Sequence, residues 1–329
     1  MLVNELRAAM EKYDKPVLKE IIVTLYKSIP KSRKESGLDD LLLNFSKENE
    51  KAAKNKPAAV DFDRLEKQVL YFINCAADDL YFKPNKIISK TQRSKWRFEV
   101  KRFIKDLLAV GGENSVKSAQ LLAGIYEMLS YGCNYYIFPT SNPFTAAGYV
   151  QIDFLALVLG KIFYSGYSDE TVKTAVYLTL DSNVDRETLN LGLMYTLLDF
   201  LKTTDTLEMA LKHCVAYKNG YDSYQASKVN FKYNWDKEHR KREYQNYAVE
   251  LYLLISFRLY EYDEGINYFL MHYKEINNEV NLYCLLMLID NHDLDDYWIR
   301  EYEKALKRKI KPRENLMQMY NQKIAERDK

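Results

Sequence analysis

Between Pro143 and Pro312 the chain holds no proline. An interior proline removes a backbone donor and clashes with the preceding helical turn, so nothing in this stretch interrupts long helices. The other prolines, at 16, 30, 57, 84 and 139, punctuate the N-terminal half. Eleven glycines in 329 residues are few for an α/β enzyme that needs tight phosphate-binding turns. With 47% apolar residues the chain has ample material for a core.

Apolar periodicity agrees with the proline pattern. Leu18, Ile21, Ile22, Leu25 and Tyr26 recur at helical spacing. Residues 1–45 are therefore expected to form a small N-terminal helical segment, with helices at 2–13 and 17–28 and a third element near Leu38–Phe45. The charged, small-residue stretch 46–58 reads as a linker. A helical domain over 59–218 follows, with helices at 91–110, 115–137, 148–165, 169–180, 186–202 and 205–218. Ser168 and the acids Asp169 and Glu170 mark one start. Residues 219–242 show no helical apolar stripe and are expected to be an aromatic-rich connection. Residues 243–329 hold two helix pairs, 248–275 and 280–309, and a tail. β-type patterning at 135–138 and 227–235 is too isolated to build a sheet.

Laid over each other, the two pairs match at a shift of 33 residues, with Gly265 on Trp298 and Phe269 on Tyr302. The first copy, "YEYDEGINYF", resembles the tetratricopeptide repeat in its acidic turn, its small residue and the aromatic one turn later. The second departs from it, because Trp298 stands where a small residue is expected, although "EYEKAL" is a typical ending. The resemblance covers 248–309. It implies an all-α array of antiparallel helix pairs of the tetratricopeptide or HEAT kind, whose concave surface binds other proteins.

Charge imposes no partner by itself: 48 Lys and Arg face 46 Asp and Glu, a net of +2. A polyanion site must be local, and Lys83–Lys105 is the strongest candidate, with nine basic residues and one acid, Glu99. On a helical wheel Trp96, Val100, Phe103, Ile104, Leu107 and Leu108 form one apolar face. Trp96 and Phe103 therefore read as core. Arg97, Lys101 and Lys105 align on the opposite face beside Arg93, with Phe98 the one aromatic left outside. This face is either a solvated helix surface or an anion-binding one. A second basic run, "KEHRKRE" at 237–243, carries both signs, and a third at 304–313 reads as a helix end.

Chemical motifs are absent. Cys75, Cys133, Cys214 and Cys284 form no CxxC pair and read as buried thiols, and His213, His239, His272 and His292 have no second His or Cys at ligand spacing. In "HDLDD" at 292–296, Asp293, Asp295 and Asp296 read as an N-cap and first-turn acids. Asp78 and Asp79 diverge on a helix. No P-loop, GxSxG, HExxH or GxGxxG occurs. Neither cofactor nor metal is expected.

Tyrosine is abundant, 28 residues, and fills helix interfaces or supplies contact area for recognition. Tyr221, Tyr224, Tyr233 and Trp235, in the 219–242 stretch, are the recognition candidates. The start has no secretory apolar run, and no segment reaches 18 uncharged apolar residues. The sequence thus points to a cytoplasmic, non-enzymatic protein-binding or scaffold module whose partner is another protein or peptide. A nucleic-acid-binding protein using the 83–105 surface is the alternative, and an enzyme with a site assembled from distant residues is third.

Overall fold

The computed structural model describes residues 9–10, 12–29, 61–227 and 237–327. Residues up to Ala59 and residues from Val60 onward form two units. In the first lies α1 (Lys15–Ser28), capped by Asp14 with Pro16 in its first turn. The expected linker 46–58 and the element at 38–45 lie outside the described residues.

The second unit is a succession of helices: α2 (Phe62–Ala77), the single turn α3 (Lys90–Arg93), α4 (Trp96–Ala109), α5 (Ser115–Asn134), the short α6 (Pro143–Ala147), α7 (Gln151–Phe163), α8 (Asp169–Leu180), α9 (Asn190–Leu198), α10 (Thr204–Ser227), α11 (Lys237–Arg258), α12 (Tyr262–His272), α13 (Asn278–Asp290), α14 (Asp295–Lys307) and α15 (Glu314–Arg327). The described residues contain no strand, and the aromatic stretch 135–138 is a turn. None of the described helices is long and apolar enough to cross a membrane.

Local chemistry explains most boundaries. The Ser168 hydroxyl accepts from the Thr171 amide at 3.2 Å, a capping box that starts α8. Asn142 caps α6, Pro143 occupies its first turn, and Gly148 closes it with φ 76°, the left-handed conformation glycine adopts without strain. Two expectations fail. The helix expected over 91–110 is broken at Ser94 and Lys95, because Ser89 and Gln92 form a capping box of their own and Ser94 closes that turn. Residues 219–227 and 237–242 are helical, not a connection: Tyr217 and Tyr221, one turn apart on α10, bury their rings, and Tyr221 stacks on buried Tyr244 of α11 at 5.9 Å. Tyrosine supplied the apolar stripe there.

Packing runs mainly between helices close in sequence: α2 and α4 against α5, α5 against α7, α7 against α8 and α9, then α8–α10, α10–α11, α11–α12, α13–α14 and α14–α15. One polar knot ties distant helices together. The Gln151 side chain on α7 donates to the Asn183 carbonyl (2.8 Å) and to the Tyr126 hydroxyl of α5 (3.2 Å), and accepts from the Asp185 amide (2.8 Å). Asn183, in the loop after α8, also exchanges bonds with Ser130 of α5, and its side chain accepts from Asn134 (2.6 Å) and from Tyr244 of α11 (2.9 Å).

The turns before α12 and α14 share a backbone. Tyr260 and Asp293, 33 positions apart, take φ 63° and 55°, and the residues after them, Glu261 and Leu294, take ψ 54° and 59°. Asp293 is therefore a left-handed turn residue and not an N-cap, whereas Asp295 and Asp296 do lie in the first turn of α14. At Gly265 a methyl group would sit 2.6 Å from the Ser256 Cβ, so only glycine permits this approach of α11 and α12. Trp298, its counterpart by sequence, is fully buried and stacks on Tyr302, which stacks on Tyr320 of α15.

Replacing Gln151 by Leu would strand the buried Asp185 amide, worth about 1–3 kcal/mol when left unpaired, and would take one bond each from the Asn183 carbonyl and the Tyr126 hydroxyl, which keep Ser130 and Ser182. Equilibrium denaturation of Gln151→Leu is expected to show a loss of about 2–4 kcal/mol, and a loss under about 1 kcal/mol would remove the knot from its structural role.

Candidate functional site

On α4 the apolar face predicted by the wheel is the buried one: Trp96, Val100, Phe103, Ile104 and Leu107 are inside. Trp96 stacks on Phe138 with ring centres 4.0 Å apart. On the outer face Arg97, Phe98, Lys101 and Lys105 are exposed, with the Arg97 guanidinium 5.0 Å from the centre of the Phe98 ring. Lys101 reaches across to Gly148, where its ammonium lies 2.5 Å from the position a Cβ would take. Arg93 is not part of this row. The break at Ser94 turns it away, and its guanidinium donates to the Lys83 carbonyl at 2.6 Å.

Of the four aromatic candidates in 219–242, Tyr221 is buried core. Tyr233 and Trp235, and the side chain of Tyr224, lie outside the described residues.

A feature that sequence reasoning missed is a cleft of about 190 Å³ between α12, α13 and α14. Its floor is Phe269, Leu282, Leu285 and Ala305, and its rim is Asn278, Asn281, Lys304 and Arg308. The buried Glu301 carboxylate in its wall accepts from Lys304 at 2.7 Å and Arg300 at 3.0 Å. The apolar floor residues each had an unremarkable helical period, so no one-dimensional signal marked their convergence. A wider depression of about 560 Å³ runs along the exposed face of α2 from Asp61 to Tyr71; a single helix lines it.

Behind the cleft, Tyr273 faces Glu250 of α11 and Cys284 of α13. Burial pushes the Glu250 carboxyl up to about 7, with the nearby Glu275 adding to the rise and Tyr273 opposing it. Burial also raises all four thiols, Cys133 to about 12. Protonated thiols are poor nucleophiles and poor metal ligands. His213 is buried with a ring nitrogen 3.1 Å from Asp169, and the His292 ring lies 3.2 Å from the Tyr195 hydroxyl. Cys214, next in sequence to His213, is itself buried in the core. Among the described residues no group of three or more His, Cys, Asp or Glu gathers in a way that could hold a metal ion.

Compared with protein-family models, characterised proteins and solved structures, the chain matches none. Its function must be read from these surfaces.

Two outcomes test the geometry. Trp96→Ala is expected to cost about 3–5 kcal/mol or to prevent folding, whereas Arg97, Lys101 and Lys105 changed together to Glu should leave the denaturation midpoint nearly unchanged, since exposed charges are each worth little. Glu250 carries a pH signature. Its folded carboxyl titrates above the ordinary value of 4.5, so the folded state holds the proton longer than the unfolded one. Its contribution is complete below about pH 4.5 and is lost as pH rises toward 7. Glu250→Gln should flatten this fall, by about 2–3 kcal/mol between pH 5 and 8, and wild type and variant with parallel stability curves would refute the assignment.

Proposed function

We propose that the protein is a non-enzymatic protein-binding module whose C-terminal helix pairs, built on a tetratricopeptide-like plan, engage a peptide segment of a protein partner. The observation that carries this reading is the α12–α14 cleft. Its volume of about 190 Å³ falls below the ~300–1,000 Å³ typical of small-molecule and cofactor sites, and suits one or two apolar side chains. Exposed Leu270 lines it, and Met271 and Ile276 are exposed nearby. An apolar floor with a charged rim is the composition of a pocket that receives an anchoring side chain.

The repeat plan is supported by the paired turns at Tyr260 and Asp293 and by the close contact at Gly265. The four cysteines are free, which suits a reducing cytoplasmic compartment.

A displayed library of random peptides is the direct test. The protein should enrich sequences sharing one bulky apolar residue, and Ala305→Trp, which fills the floor, or Arg308→Glu, which reverses the rim, should lower recovery at least tenfold while the helical signal persists. Absence of enrichment, or enrichment indifferent to both changes, would overturn the proposal.

A further inference from the structure

Two basic stretches far apart in the chain meet at the turn after α5. Arg240, in the first turns of α11, holds its guanidinium 5.0 Å from the centre of the Tyr135 ring. The next residue, Tyr136, stacks on Phe82 with ring centres 6.0 Å apart and an interplanar angle of 27°. Phe82 opens the basic segment 83–105, and Arg93 folds that segment back by its bond to the Lys83 carbonyl. Both rings of the stacked pair stand in solvent, 44% exposed for Phe82 and 64% for Tyr136.

Lys86 and Lys90, four and eight positions after Phe82, are exposed, and Arg240 is half-exposed. Asp79, the nearest acid in sequence to Phe82, is ion-paired with Lys83. Glu99, the single acid of the segment, is half-buried and interacts with Arg102 and the Tyr81 hydroxyl.

We infer that Phe82 and Tyr136, together with Arg240 and the exposed Lys86 and Lys90 of the chain after Phe82, form a contact surface for single-stranded nucleic acid. Exposed aromatic faces have no counterpart on the phosphate ridges of a duplex, whose bases are already stacked on one another. On a single strand every base offers a π-face, and stacking together with phosphate contacts gives sequence-tolerant binding. The surface differs from the row along α4, where Phe98 carries the Arg97 guanidinium on the outer face and Lys101 is directed to Gly148.

Fluorescence anisotropy with labelled 15-mers of oligo(dT) and oligo(rU), an abasic oligomer of equal charge, and a duplex of equal length tests the assignment. Both single strands should bind at about 50 mM salt, more tightly than duplex or abasic strand. Unequal affinities for the two would tell which sugar the surface favours. Phe82→Ala and Tyr136→Ala should each weaken oligo(dT) by about tenfold, the loss of roughly one stacked base, and leave the abasic strand unaffected. Three phosphate contacts give a slope of about −2 in log affinity against log salt, and Lys86→Glu with Lys90→Glu should flatten it. These four residues are exposed or half-stacked at the surface, so circular dichroism should match wild type. Equal affinity for oligo(dT) and the abasic strand would show a surface for acidic polymers, including acidic proteins, and would overturn the proposal. So would no binding at 50 mM salt, or variants that bind as wild type does.

Discussion

The bonds around Gln151 and Asn183 are the constraint on which the second unit depends. Helices packed mainly on their sequence neighbours have few contacts to hold distant members in register. Here one loop after α8 is bound by α5, α7 and α11 at once. Polar groups inside an apolar medium must be satisfied or cost free energy, so the knot specifies one arrangement where apolar packing alone would tolerate several. It also places the start of α11 near the turn after α5, which brings Arg240 to Tyr135.

Tyrosine joins these levels. In Tyr126 the ring is fully buried while the hydroxyl accepts from Gln151 and Ser182. Tyr217 and Tyr244 are buried likewise, and their hydroxyls donate to the side chains of Asp181 and Asn183. An aromatic body with a polar tip can fill an interface and end in a hydrogen bond. That property explains why tyrosine suits the interfaces of this chain, and why a stretch rich in it hid a helix: Tyr221 continues the helical period from Tyr217, and counting Tyr221 as a recognition residue hid that continuation.

The two surfaces are built by different physics. The α12–α14 cleft is an apolar recess with a charged rim and suits the anchoring side chain of a partner. The Phe82–Tyr136 surface is open, basic and aromatic. Neither needs a perturbed nucleophile, and burial keeps the four thiols protonated.

Local rules acting within a few residues were legible in the sequence. The proline-free interval, the Ser168 cap and the apolar face of Trp96 each follow from sterics or periodicity over one or a few helical turns. Tertiary structure decided whatever required distant residues to meet. Arg93 left its row because a two-residue break rotated it, a geometry no wheel represents. Glu250 had no sequence signal, since its raised carboxyl comes from burial, with Glu275 adding to it. Arg240 looked like part of a mixed-charge run until folding set it against Tyr135, with Tyr136 and Phe82 beside them. Helix formation is settled by short-range backbone and side-chain preferences, whereas a surface such as that of Phe82, Tyr136 and Arg240 gathers residues far apart in the sequence, and only the packed chain brings them together.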